Sequence, residues 1–247
     1  MRPKTQEEIA NMRISGRMLA QVLAVLAEQI KPGMTTQDLD DIARAELGKL
    51  GGEAPFLGYQ GFPATLCVSV NEEVVHGMPG ARIIEDGDIV GLDFGVNYKG
   101  MITDSAITVG VGNVDAASQQ LIEVTKKSMM AGIKAVKAGA RVGDIAAAVE
   151  SVLKPAGYGI VKDLAGHGVG DSLHEEPWIP NFGKAGKGPV LQAGMTICIE
   201  PMATLGTKKV RIAKDGWTVY TKDHSRAAHF EHTILVTEKG HEIMTSI

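Results

Sequence analysis

Cysteine is scarce: Cys67 and Cys198 are the only two, and no C-x-x-C pair occurs. That excludes a disulfide framework and a thiolate zinc site as the organising chemistry. Basic charge is not in excess either. A formal charge of -4 and a pI near 6.0 leave no footprint for nucleic acid or an anionic membrane surface, so direct DNA binding is not expected. No run of about 18 apolar residues, the length needed to cross a bilayer, is present. The first residues, Met1-Arg2-Pro3-Lys4-Thr5-Gln6-Glu7-Glu8, turn acidic without an apolar signal core. The expected setting is a reducing cytoplasm, away from membranes.

What is present suffices for a real core. The 247 residues are 44% apolar and 22% charged, which fits a single domain over 1–247 or two tightly joined halves. Thr5 and Glu8 have capping-box spacing, and Ile9, Met12, Leu19, Leu23, Leu26 and Ile30 recur at helical intervals before Pro32-Gly33. A second helix is predicted from Thr36 to the breaker Gly51-Gly52. Leu66–Val70, Ile89–Phe94 and Met101–Val109 are short, β-branched and bounded by turn residues, so they read as strands. Asp115 can cap a third helix through Val136, and a fourth ends at Pro155. From Val161 the pattern is again that of strands.

The order helix-helix-strands, stated twice, prompts a search for a repeat. Lys31-Pro32-Gly33-Met34-Thr35-Thr36-Gln37-Asp38-Leu39 aligns with Lys137-Ala138-Gly139-Ala140-Arg141-Val142-Gly143-Asp144-Ile145. Gly87 precedes Asp93 as Gly194 precedes Glu200, and Asp104 and Glu231 each open a matching block. The repeat spans residues 5–110 and 115–237. Two related α+β halves, with sheets joined and helices on one face, would set four carboxylates around a shared centre.

Asp93 and Asp104 flank Asn97-Tyr98-Lys99-Gly100, a hairpin sequence. If that turn is centred between Tyr98 and Lys99, the two aspartates are directly opposite. Like charges facing one another among Val90, Leu92, Ile102 and Ile107 would call for a cation between them. Strand acids ordinarily face water, but Glu200 and Glu231 interrupt strands that are otherwise fit only for burial. His167, between Gly166 and Gly168, adds one nitrogen donor. Four carboxylates and one imidazole suit Mn²⁺, Fe²⁺, Co²⁺ or Zn²⁺, and the set is large enough for two bridged divalent ions. Such a pair favours hydrolysis.

At these residues the chain resembles the type I methionine aminopeptidases in their short bacterial form. The resemblance runs through Ser69-Val70-Asn71-Glu72-Glu73-Val74-Val75-His76-Gly77, Gly87–Asp93, Thr103-Asp104, Gly166–Gly170, Leu173–Pro177, Ile199-Glu200-Pro201 and His229–Thr233. It implies a pita-bread fold, with two pseudo-twofold-related halves and a central antiparallel sheet covered by helices. It also implies Asp93, Asp104 and Glu231 on one metal, and Asp104, His167, Glu200 and Glu231 on the other. Glu200 would move the proton, and His76 and His174 would contact the substrate. Tyr59, Phe62, Cys67 and Trp217 would select methionine. Leu173 stands where an aromatic residue is common, and Val75 where cysteine is frequent. The implied activity is removal of the initiator methionine from nascent chains when the second residue is small, by a monomer transiently at the ribosome. The alternatives are a prolidase or Xaa-Pro aminopeptidase of the same fold, and a non-catalytic pita-bread binding protein.

Overall fold

The computed structural model describes residues 1–246. Helix α1 (Gln6–Gln29) starts where the capping box predicts. The Thr5 hydroxyl accepts the Glu8 N–H at 3.3 Å while the Glu8 carboxylate accepts the Thr5 N–H at 2.7 Å. Helix α2 (Thr36–Leu50) repeats the device with Thr35 and Asp38 and ends on Gly51 at φ 76°. Helices α3 (Ala116–Lys134) and α4 (Val142–Leu153) follow after the first strands, α3 capped by Asp115. Each helix turns one apolar stripe inward. Leu19, Leu23 and Leu26 of α1 are buried with Leu39 and Leu47 of α2, and every such side chain removed from water contributes about 1.5–3 kcal/mol.

The strands in chain order are β1 (Leu66–Val70), β2 (Glu73–Val75), β3 (Ile89–Tyr98), β4 (Met101–Gly110), β5 (Gly159–Ile160), β6 (Gly166–Gly168) and β7 (Glu175–Ile179). They continue with β8 (Thr196–Ile199), β9 (Met202–Thr204), β10 (Val210–Ile212), β11 (Val219–Thr221), β12 (Ala227–His229), β13 (Glu231–Val236) and β14 (His241–Ile243). The main sheet is antiparallel, in the order β1-β3-β4-β13-β8-β6-β7, with β14 added to β13. Two three-stranded sheets, β10-β11-β2 and β12-β9-β5, complete the β structure among the described residues. One apolar core lies between α1, α2 and the β1-β3-β4 side, and another between α3, α4 and the β8 side.

The two halves repeat their backbone hydrogen bonds. Gly33 donates to the Ile84 carbonyl at 2.9 Å and Ile84 to Met34 at 2.8 Å. The counterparts are Gly139 to Leu191 at 2.9 Å and Leu191 to Ala140 at 2.8 Å. Gly87 donates to Val111 as Gly194 donates to Val236. The halves meet where β4 pairs with β13, Ala106 opposite Glu231 and Ser105 opposite His232. That seam lies between the strands that carry Asp104 and Glu231.

Candidate metal centre

Asp93 sits on β3 opposite Ala106 on one side and Cys67 on the other. Asp104 on β4 is opposite Gly95. The expectation that the two aspartates face each other directly is therefore corrected: they are diagonal neighbours, two residues out of step on one face of the hairpin. The cause is the turn. Tyr98 pairs with Met101, so the two-residue loop is Lys99-Gly100, with φ of 50° and 81°, and the positive pair matches the strand twist of a type I′ turn. Diagonal side chains on one face remain within reach of each other. Donor atoms of Asp93, Asp104 and Glu231 lie within 4.8 Å of one another.

His167 reaches the same centre from β6, its Nε2 3.4 Å from Glu200 Oε1 and 3.9 Å from Glu231 Oε1. The Gly168 carbonyl, 2.9 Å from Nδ1, can only accept, so Nδ1 carries the proton and Nε2 presents its lone pair to the carboxylates. Burial drives the His167 pKa down to about 3, with the neighbouring His174 adding to the effect. Burial raises Asp104, Glu200 and Glu231 well above the usual carboxylate range, and neighbouring carboxylates raise them further. Asp93 is raised by burial while His229 pulls the other way.

This crowding is uncompensated within the chain. Asp93 Oδ1, Asp104 Oδ1 and Glu231 Oε1 are shut off from solvent and have no hydrogen-bond partner. A buried carboxylate oxygen without a donor is costly, and three around one point fit a cation better than any rearrangement of hydrogen bonds. The oxygen-rich set with one imidazole fits a hard or borderline divalent metal.

Every residue nominated from the sequence lines one cavity of about 170 Å³. Its apolar end is formed by Phe62, Cys67 and Leu173 with Tyr59 and Trp217 packed against them, the Phe62 and Trp217 rings meeting edge-on at 5.2 Å. Leu173 is only 5% exposed and part of the wall, and Val75 lies in the adjoining groove. His174 stands between pocket and carboxylates, its Nδ1 2.9 Å from the Tyr59 hydroxyl and its ring 4.3 Å from that of His167. His76 faces it from a left-handed backbone at φ 56°, an uncommon conformation for a non-glycine residue.

Three residues escaped the sequence reading. Phe56 closes the pocket with Phe62, from a loop with no motif of its own. Cys198, behind Glu231, has its thiol pKa raised by burial, which keeps it a neutral neighbour of the cluster. His229 is buried with Nε2 3.6 Å from Glu200 Oε2 and no hydrogen-bond partner. Its position two residues before Glu231, on the same face of an extended segment, was the available signal.

The sequence model of metallopeptidase family M24 matches residues 10–238. The chain belongs to that family. M24 metallopeptidases use divalent metal, which agrees with the orphaned carboxylate oxygens. This M24 chain is 43% identical to methionine aminopeptidase 1 of Bacillus subtilis (strain 168), over 99% of the chain and 98% of the relative. It is 46% identical to the methionine aminopeptidase of Treponema pallidum (strain Nichols), over 99% and 96%. Among solved structures, methionine aminopeptidase from Thermotoga maritima superposes with a TM-score of 0.98 at 43% identity, covering 100% of both chains. Prolidase from Pyrococcus furiosus superposes at 0.81 with 23% identity, over 99% of this chain and 65% of that one, and so shares the pita-bread fold.

Proposed function

We propose that the chain removes N-terminal methionine from polypeptides whose second residue is small, acting as one catalytic unit over residues 1–247. The observation that carries this reading is that an apolar pocket with a soft sulfur contact, walled by Phe56, Phe62, Cys67 and Leu173, opens directly onto the carboxylate cluster. An unbranched thioether side chain suits such a pocket. The high identity to methionine aminopeptidases over nearly full length supports it.

Asp93, Asp104 and Glu231 would hold one divalent ion, and Asp104, His167, Glu200 and Glu231 a second, drawn from Co, Mn, Fe or Zn. Bound there, the ions would polarise the scissile carbonyl and make water acidic enough to attack it. The chain's own groups do the rest. Glu200, lining the cavity at the edge of the cluster, would take a proton from the water and return it to the departing amine. His174, fixed by Tyr59, and His76 donate to the substrate backbone and the developing oxyanion. The second residue must be small because its side chain would lie against the crowded carboxylates.

The proposed setting is the cytoplasm, where a monomer meets nascent chains in transient contact with the ribosome, without direct DNA contact. No helix among the described residues is long and apolar enough to cross a membrane. The test compares release of the first residue from Met-Ala-Ser, Met-Arg-Pro, Leu-Ala-Ser and Ala-Pro, before and after chelation and Mn²⁺ or Co²⁺ add-back. Methionine is expected from Met-Ala-Ser alone, lost with chelator and restored by metal. Metal-dependent cleavage of Ala-Pro alone would move the chain to the prolidases. Silence on every peptide would favour a non-catalytic binding protein.

A further inference from the structure

Lys4 is a lysine with its side chain entirely out of solvent. Its Nζ lies 2.6 Å from Asp171 Oδ2 and 3.4 Å from Glu175 Oε1, carboxylates that bracket His174 in the chain. The same Glu175 oxygen accepts the backbone N–H groups of Asp171 and Ser172 at 2.7 and 3.0 Å. The lysine thus ties both ends of the short turn that presents Leu173 and His174 to the cavity. Its own backbone is anchored, since Lys4 N–H donates to the Gly194 carbonyl at 2.8 Å. Gly170 leaves the room: at φ 139°, a Cβ there would fall 2.4 Å from Lys4 Cε.

Stability alone does not account for this choice. Lys4 is buried while Asp171 is 39% exposed and also pairs with Arg2 at 2.9 Å, so the pair adds little over an apolar side chain of similar volume, and what it can supply is a fixed arrangement of its partners. Here the partners flank a ring that must stay 4.3 Å from the His167 ring and within hydrogen-bond reach of Tyr59.

We propose that Lys4 is a positioning residue that clamps the 171–175 segment and through it aims His174 at the substrate. The proposal rests on the aminopeptidase reading for its kinetic consequence. Its structural half does not.

The test is a double-mutant cycle on Lys4→Met and His174→Ala, with Asp171→Asn as a second, exposed way of loosening the clamp should Lys4→Met fold poorly. On Met-Ala-Ser with Mn²⁺, Lys4→Met is expected to lower kcat about tenfold with KM changed less than twofold, as for loss of a contact made mainly in the transition state. In the His174→Ala background the same change should cost less than twofold. Asp171→Asn should show the same pattern with a smaller loss. Equal losses in both backgrounds, or no loss in either, overturn the proposal. Amide hydrogen exchange of residues 170–175 is read in parallel and needs no activity. Faster exchange in either variant is expected, and unchanged exchange in both overturns the clamp. A wild-type enzyme that releases no methionine would refute the aminopeptidase reading, while the exchange result would still decide the clamp.

Discussion

Asp104 carries the cost of the centre in one side chain. It is 4% exposed, has Glu231, Asp93 and Glu200 for charged neighbours, and keeps one oxygen without a donor. Its carboxyl pKa is raised in the fold by burial and by neighbouring carboxylates, so its own contribution to metal-free stability is greatest where it is protonated. The associated stability is present below the ordinary carboxylate value of about 4 and is lost as pH rises through the raised value. Asparagine imitates the protonated form at every pH. Asp104→Asn should therefore melt close to the wild type in chelator at low pH and above it at neutral pH, the gap widening as pH rises. It should also lose the Tm gain on Mn²⁺ and with it methionine release. A gap that stays constant with pH in chelator, followed by thermal melts, would mean that Asp104 is compensated by something other than a proton in the metal-free fold. His167 moves oppositely. Its pKa is lowered from 6.5 to about 3, so its contribution is lost as pH falls from about 6.5 toward 3, but wild type and variant share it and it cancels in the gap.

At the level of elements, two helical glycines separate packing from propensity. Gly16 lies in α1 where a Cβ would fall 2.1 Å from the Met244 carbonyl oxygen, a backbone atom that cannot swing aside. Gly48 lies in α2 with nothing within 4 Å of the same position. Gly16→Ala should cost roughly 1–3 kcal/mol through forced displacement of the C-terminal segment. Gly48→Ala should gain about 0.5–1 kcal/mol from reduced unfolded-state freedom and better helix propensity. Denaturant midpoints measure both, and equal signs would show that the close approach at Met244 relaxes freely. The same elements show what was legible. Helix starts were readable because capping boxes are local, as at Thr5 and Thr35, and the Gly51 stop was readable because a left-handed residue favours glycine. The β3–β4 register was not. It turns on Lys99 adopting a left-handed conformation, which residue type does not announce, and a turn centre displaced by one residue changed opposite aspartates into diagonal ones. The five proposed metal donors were nameable because the repeat singled out four acids on apolar strands. Phe56 acquires its place only through long-range packing, and no spacing in the chain encodes it, whereas His229 had a signal in its spacing from Glu231.

The whole molecule is held at its seam by side chains that fill gaps in a short strand pairing. Only Glu231 with Ala106 and His232 with Ser105 pair as backbone rungs between β13 and β4. Beyond them, the Thr233 hydroxyl accepts the Asp104 N–H at 2.9 Å and donates to the Asp104 carbonyl at 2.8 Å. The Thr108 hydroxyl does the same for His229, at 2.9 and 2.7 Å. These hydroxyls sit on the residues that position the carboxylates, so the geometry of the centre and the union of the halves are one structural fact. Asp93 and Asp104 come from the first half, and His167, Glu200 and Glu231 from the second. With two ions held as proposed, each would take donors from both halves, so its binding energy would stabilise the union rather than either part. Free Mn²⁺ at a hundred times its Kd should stabilise the native state by about 2.7 kcal/mol for each ion bound. Because the halves share the site, that gain should appear as an upward shift of one calorimetric transition, with equal van't Hoff and calorimetric enthalpies. Two transitions, with only one responding to Mn²⁺, would mean that one half holds the metal by itself and that the seam does not couple them.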